Sequence, residues 1–147
     1  MREILKYIAD RGAERGGNPQ IYYSVENNTL GEAALVAINE IGEENIMGTF
    51  LTEPKTIGVG RRVRKGFNTT NKTKLAVCAK FKALIEGGKM FVASKPLITQ
   101  LKTFVASGSS YEAKIGEHDD LVMSMLLAVR MAVFLREFDP NLDEKLK

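Results

Sequence analysis

The segment from Leu121 to Leu135 is apolar at every position except Ser124 and Arg130. Fifteen residues are too few to cross a bilayer as a helix. Three polar residues stand directly before the segment, namely His118, Asp119 and Asp120. We therefore predict a helix that is buried on all sides, around which the rest of the chain must pack.

The composition is typical of one globular domain with a single core. Of the 147 residues, 44% are hydrophobic and 27% are charged. The one cysteine, Cys78, excludes an intramolecular disulfide, indicates a reducing intracellular setting, and is expected to be a small buried side chain. The single histidine makes a His/Cys zinc site unfavourable. The charged N-terminal residues exclude a signal peptide, and no membrane association is expected.

The first half has the element order of a βαβ unit. We predict a helix over residues 2–15, a strand over 20–25, a helix over 30–41 and a short strand over 49–51. A strand, a helix and a second strand in this order indicate a parallel sheet. The chain is therefore expected to be a single α/β domain.

The second half begins with a basic segment. Residues 57–70 contain three glycines and a cluster of basic residues, which predicts a hairpin or loop. Between Lys55 and Lys82 there are nine Lys or Arg and no Asp or Glu. Such a concentration of positive charge attracts a phosphate backbone.

Helices and short strands are predicted to follow this basic segment. Asn71 is expected to N-cap a helix that ends at Ile85. The later elements are predicted as a strand over 89–93, a helix over 96–105, a strand over 110–115, a helix from about 118 to 138, and a charged tail over 139–147.

Acidic residues lie at two places where α/β domains form sites. Glu26 follows the first predicted strand, and the carboxyl ends of parallel strands open onto loops. Asp119 and Asp120 lie in the first turn of the last helix, where the helix dipole stabilises an anion. Either place alone is also explained by helix capping or by solvation.

Taken together, the acids indicate a metal site. Converging carboxylates repel one another unless a hard cation binds, and oxygen-only ligands suit Mg²⁺ or Mn²⁺. Two such ions about 4 Å apart activate water and stabilise the leaving oxygen in phosphodiester cleavage. The residues thus predict a metal-dependent nuclease if Glu26 lies within roughly 8 Å of Asp119 or Asp120.

Three segments resemble the C-terminal nuclease domain of tailed-phage large terminases. YYSVENNTLGEAAL (22–35) is similar to the family's strand that ends in an acid followed by Asn-Asn. GFNTTNKTKLAVCAKFKALIEGGKMFV (66–92) is similar to its Gly-aromatic-x-Thr stretch and Thr-Lys helix, and GEHDDLVMSMLLA (116–128) to its closing His-Asp-Asp-Leu motif. The order matches and nearly the whole chain is covered. The resemblance implies a ribonuclease H-like fold, a mixed sheet flanked by helices.

The resemblance also implies roles for the matching residues. Glu26 would be the second catalytic acid, Asp119 a direct metal ligand, and Asp120 a second ligand or a water holder. His118 would contact a phosphate or a metal-bound water, or cap its helix locally, and Asn27 is a candidate accessory residue. DNA contact is expected from Arg61, Arg62, Arg64, Lys65, Lys72 and Lys74. The last two are equally compatible with an ordinary solvated surface.

Part of the family pattern does not occur in this sequence. The family's first catalytic Asp lies on a strand before a helix like residues 2–15, and no such strand or G-x-x-x-x-G-K-[ST] phosphate loop is found. We therefore expect an N-terminally truncated nuclease domain with impaired activity. The resemblance implies double-stranded DNA, the terminase ATPase domain, small terminase and portal as partners, in the cytoplasm of an infected bacterial host.

Two alternatives to a terminase nuclease stay open. One is a non-catalytic DNA-binding or packaging-assembly module, and the other is a different ribonuclease H-like nuclease such as a resolvase. The strand over 20–25 is apolar on both faces and unbroken by proline. Its edge is expected to pair in a homo-oligomer or to be covered by residues 2–15.

Overall fold

The computed structural model describes residues 1–17, 20–53 and 65–138, without the side chains of residues 137 and 138. It divides into two compact units, Met1–Asn68 and Thr69–Lys147. Some of the predictions lie outside the described residues: positions 57–64 of the hairpin or loop predicted over 57–70, with Arg61, Arg62 and Arg64, and the tail over 139–147.

The first unit is a parallel βαβ arrangement preceded by a helix. Its elements are α1 (Arg2–Glu14), β1 (Tyr22–Tyr23), α2 (Thr29–Ile41), a 3-10 turn (Glu43–Asn45) and β2 (Thr49–Phe50). Strands β1 and β2 run parallel, with Tyr22 opposite Thr49. The predicted parallel unit is confirmed, although regular strand geometry covers fewer residues than predicted.

The core of this unit joins both helices to β1. Its buried side chains are Leu5 of α1, Tyr23 of β1, Ile38 of α2, and Ile46. The ring of Tyr23 meets that of Phe50 edge to face, with 5.4 Å between the centroids. Helix α1 therefore contributes Leu5 to the same core as the Tyr23 side chain.

The second unit contains three helices and a β-hairpin. Its elements are α3 (Asn71–Glu86), α4 (Lys95–Thr103), β3 (Phe104–Ser107), β4 (Ser110–Ala113) and α5 (Asp120–Phe138). Strands β3 and β4 are antiparallel, with Phe104 opposite Ala113. The α/β class is confirmed, and the strands that the structure describes form one parallel pair and one antiparallel pair.

Helix α5 packs through one face. Val122, Leu126 and Val129 are buried in a cluster with side chains of α3 and α4, whereas Ser124 and Ala128 on α5 are exposed. The prediction that this helix is buried on all sides was wrong. In the described residues α3 and α4 cover one side of it, and spacings of four and three residues keep the buried positions on that side. None of the helices in the described ranges combines the length and hydropathy needed to cross a membrane.

Two predicted boundaries in the second unit were also wrong. Thr70, not Asn71, caps α3, because its hydroxyl accepts from the Thr73 N–H and Thr73 bonds back in a capping box. Residues 104 and 105 are not helical, since pairing with β4 holds them in a strand.

Residues 89–93 do not form the predicted strand. Met90 and Val92 pack on the core and Phe91 is exposed, so the segment keeps the alternation of a strand. It has no ladder partner among the described residues, and side-chain alternation alone does not make a strand. Cys78 is partly buried against the same core, and burial raises the pKa of its thiol, as expected of a structural cysteine.

Candidate functional site

Glu26 stands where β1 meets a third backbone segment. It forms a parallel bridge with Phe67. The Phe67 N–H donates to the Val25 carbonyl at 3.0 Å, and the Asn27 N–H donates to the Phe67 carbonyl at 2.7 Å. Phe67 is only 1% exposed. The backbone that carries Glu26 is therefore held both by hydrogen bonds and by a buried aromatic side chain.

Two glycines permit this close packing. A Cβ atom on Gly31 would lie 1.7 Å from the Glu26 carbonyl oxygen, so no side chain fits at position 31 in the first turn of α2. Gly66 has φ +84° and a Cβ there would lie 2.5 Å from the Val25 carbonyl oxygen. Both glycines let neighbouring backbone approach the end of β1 more closely than any other residue would.

The Glu26 carboxylate is not used to cap a helix. Asn28 is the N-cap of α2, and its Oδ1 accepts from the Gly31 N–H at 2.8 Å. The other end of the same amide donates through Nδ2 to Glu26 Oε2 at 3.0 Å. Helix capping therefore does not explain Glu26, because a neutral side chain does the capping and also holds the acid.

Asn27 links Glu26 to the end of the basic segment. Its Nδ2 donates to the Lys65 carbonyl at 3.0 Å. Its Oδ1 is buried and has no hydrogen-bond partner within the described ranges. Asn27 thus positions backbone beside Glu26, which is compatible with the predicted accessory role.

Glu53, Lys65 and Gly66 each have a partner within the first unit. The Glu53 N–H donates to the Gly66 carbonyl at 3.1 Å, and the ammonium of Lys65 pairs with the carboxylate of Glu43. Lys65, a predicted DNA contact, has an intramolecular partner in this structure.

Asp119 lies between a strand end and a helix start. Its carbonyl accepts from the Met123 N–H at 2.8 Å, which places it at the N-cap of α5. Its carboxylate, however, accepts from the Ala113 N–H at the end of β4, at 3.3 Å. The first-turn amides of α5 donate elsewhere, to Gln100 Oε1 on α4. The alternative that Asp119 is a simple capping side chain is therefore wrong.

Gln100 was not found by sequence reasoning. It lies 21 residues before Leu121, the nearer of its two partners. No local spacing links the two positions, and a glutamine within a helix carries no signal of a long-range cap. Only the packing of α4 on α5 brings them together.

Asp120 and His118 are both exposed. The Asp120 side chain is 87% exposed and the His118 side chain 82%, and His118 Nδ1 lies 4.0 Å from Asp120 Oδ2. His118 does not make the local cap that was one of its two predicted roles, because Gln100 occupies the helix start. Both side chains are accessible to a ligand.

The start of α3 carries the remaining basic candidates. Lys72 is exposed, and Lys74 is half-buried with its Nζ 5.3 Å from the centroid of the Phe104 ring. Lys72 therefore fits the predicted surface contact more directly than Lys74, whose charge lies on an aromatic face.

The acids lie in different compact units. Glu26 belongs to the first unit and Asp119 and Asp120 belong to the second. Over the described parts of the chain, no group of three or more His, Cys, Asp or Glu side chains is arranged to hold a metal ion. The carboxylate donors are of the type that Mg²⁺ and Mn²⁺ take, but the described residues offer an incomplete ligand set. The convergence of Glu26 with Asp119 or Asp120 stays a prediction.

A comparison of the sequence with known protein families gave a match. A family model described as a terminase RNaseH-like domain matches residues 20–132. The match covers more than half of the chain, and it includes Glu26, Phe67, Gln100, Asp119 and Asp120.

Proposed function

Because the chain belongs to the family of terminase RNase H-like domains, we propose that it acts as the Mg²⁺- or Mn²⁺-dependent DNA endonuclease domain of a viral packaging terminase. It is a nuclease-type terminase domain by family. The proposal adds that it cuts concatemeric DNA and works with the terminase ATPase domain, small terminase and portal in an infected bacterial cell.

One observation supports the proposal most directly. Each of the two key acids stands at a place where a helix needs a cap, and in each case a neutral amide supplies it. Asn28 caps α2 beside Glu26, and Gln100 caps α5 beside Asp119. Carboxylates that the fold does not need for capping are available to a cation.

The proposed roles follow from these placements. Glu26 and Asp119 are direct metal ligands, and Asp120 is a second ligand or holds water. The bound ions would supply water activation and stabilisation of the leaving oxygen. The described residues hold no group of three such donors, and we propose that full activity needs a further carboxylate. We expect this chain alone to cut DNA poorly.

Basic residues on both units are proposed to hold the DNA backbone. Lys72 and Lys74 lie at the start of α3, and Lys65 follows the segment that contains Arg61, Arg62 and Arg64. Such contacts to phosphate supply affinity that does not depend on DNA sequence. His118 is available to contact a phosphate near Asp120.

Mn²⁺ titration followed by calorimetry tests the metal site. Glu26→Gln and Asp119→Asn should each weaken Mn²⁺ binding by about tenfold or more, because each removes a charged oxygen ligand. Glu32→Gln on α2 and Glu117→Gln before α5 are matched controls, since each removes one charge from an exposed acid nearby. Equal loss in the controls, or no loss in the two site variants, would refute the proposed ligands.

A non-catalytic DNA-binding module is the second candidate. Helix α3 carries Lys72, Lys74, Lys80 and Lys82 before its first acid, Glu86, which favours binding to a polyanion. A pure binding module would bind DNA with the same affinity in EDTA and in Mn²⁺ and would not distinguish the Glu26→Gln variant from the parent. The nuclease domain should show tighter Mn²⁺-dependent binding that this variant loses.

A further inference from the structure

The start of α5 is capped from another helix. Gln100 Oε1 lies 2.8 Å from the Leu121 nitrogen and 3.4 Å from the Val122 nitrogen. Because both partners are N–H donors, the amide oxygen of Gln100 must face them. These are the second and third amides of the helix, the two that an N-cap side chain normally satisfies.

Asp119 holds the N-cap position but does not perform the N-cap function. Aspartate is among the residues most favoured at this position. Its carboxylate instead takes the Ala113 N–H, which points away from β3 at the outer edge of the hairpin. The oxygen of Gln100 stands where the Asp119 carboxylate would otherwise bond.

We propose that Gln100 is a positioning residue that relieves Asp119 of capping and so keeps its carboxylate turned away from its own helix. The place of Gln100 is set by packing, because Leu97, one turn earlier on α4, is buried in one cluster with Val122 of α5. A neutral amide is suited to this role. It satisfies the helix amides without adding a third negative charge beside Asp119 and Asp120.

The expected effect of Gln100 on metal binding rests on the proposed function. The exchange of caps, in which the Asp119 carboxylate caps α5 when the Gln100 oxygen is absent, does not. Without the Gln100 oxygen, the amides of Leu121 and Val122 lose the acceptor that the structure gives them, and the Asp119 carboxylate, at the N-cap position, can replace it. A cation that needs Asp119 would then compete with the helix for it. The two effects can be measured separately.

A double-mutant cycle without metal tests the exchange of caps. The unfolding equilibrium constant is measured in urea and EDTA for the full chain, for Gln100→Ala, for Asp119→Ala and for the double variant. We expect Asp119→Ala to raise the unfolding equilibrium constant by a factor about fivefold larger in the Gln100→Ala background than in the parent. The reason is that Asp119 caps the helix only in that background. Gln100→Glu keeps an acceptor oxygen, so the cost of Asp119→Ala should fall to the parent value or below it, because the added charge beside Asp119 opposes that residue.

Thr99→Ala is the matched control on the same helix, because the hydrogen bond of the Thr99 hydroxyl in the described structure stays within α4, at the Lys95 carbonyl. Its cycle with Asp119→Ala should be additive. An additive cycle for Gln100 as well, or coupling of equal size for Thr99, would overturn the inference.

Mn²⁺ affinity then separates the inference from the proposed function. Gln100→Ala should weaken Mn²⁺ binding by about the same fivefold, since the ion must withdraw Asp119 from the cap. Coupling in the cycle with unchanged Mn²⁺ affinity would remove Asp119 from the metal site and leave the exchange of caps standing. An additive cycle would overturn the exchange of caps whatever the metal result.

Discussion

The side-chain amide of Asn28 donates to Glu26 Oε2 at 3.0 Å while its oxygen caps α2. One residue therefore joins the start of a helix to the acid at the end of the preceding strand. Asn28→Ala should lower the free energy of unfolding by about 1 kcal/mol, the usual effect of losing an N-cap. Urea denaturation measures this loss.

Asn28→Asp separates the two functions of this side chain. The carboxylate still caps α2, so stability should change by less than about 0.5 kcal/mol. It can no longer donate to Glu26 and it places a like charge beside that carboxylate, so the NMR chemical shift of the Glu26 carboxyl carbon at neutral pH should differ from the parent. Asn39→Ala, at an exposed asparagine within α2, is the control: it should not lower stability, because alanine favours the helix, and it should leave the Glu26 signal unchanged. An unchanged chemical shift of the Glu26 carboxyl carbon in Asn28→Asp would show that the Asn28 contact does not hold the acid.

Tyr23 is predicted to destabilise the first unit through its hydroxyl. The side chain is 6% exposed and its oxygen has no hydrogen-bond partner among the described residues. Tyr23→Phe keeps the ring contact with Phe50 and removes the unsatisfied group, so the free energy of unfolding should rise by about 1 kcal/mol. A loss of stability would indicate a partner for the hydroxyl in solution.

The same residue sets an alkaline limit to stability. Burial raises the pKa of Tyr23 above its ordinary value of 10.0, the nearby Glu43 carboxylate raises it further, and Lys65 opposes the shift. The folded state therefore holds the phenol proton more tightly than the unfolded state. The stability that this tighter proton binding contributes is fully present below pH 10.0, and it is lost as the pH rises through the pKa of Tyr23 in the folded state. Urea denaturation is measured at about pH 8.5 and about pH 10.5, on either side of the ordinary pKa. The loss of unfolding free energy between the two should be smaller in Tyr23→Phe than in the parent.

The basic segment gives a prediction about salt dependence. Replacing Arg61, Arg62 and Arg64 with Ala should weaken DNA binding and reduce the slope of log affinity against log salt by up to about 3, roughly one per lost phosphate contact. The melting temperature should change little. Replacing Arg2, Lys6 and Arg15, three exposed basic residues in or beside α1, removes the same charge and should leave the slope nearly unchanged. An equal effect in both variants would mean that net charge, not the segment, binds DNA.

Local sequence patterns were sufficient to predict the frame of the candidate site. Alternation of strand and helix predicted the parallel pair, and the position of Glu26 at the end of β1 followed from it. The links that hold the acids were beyond such patterns. The bridge between Glu26 and Phe67 and the cap from Gln100 to Leu121 join residues 41 and 21 positions apart. Bonds over such separations depend on how elements pack, which neither propensity nor periodicity encodes.

The second edge of β1 is predicted to pair with a second copy of this chain. Along one edge, the carbonyls of Ile21 and Tyr23 accept from β2 and from Leu51, and the Val25 carbonyl accepts from Phe67. The backbone groups of Tyr22 and Ser24 face the opposite edge and have no backbone partner among the described residues.

Ser24→Pro tests this pairing selectively. Proline at this position removes an N–H from the open edge and leaves the bonds between β1 and β2 intact, so it should block strand addition without unfolding the unit. Ser24→Ala is the control, because both variants lose the bond from the Ser24 hydroxyl to the Leu51 carbonyl. We expect light scattering to report a dimer for the parent and for Ser24→Ala, and a monomer for Ser24→Pro. A parent that stays monomeric over a concentration series, with the Tyr22 and Ser24 amides exchanging freely, would contradict self-association through this edge.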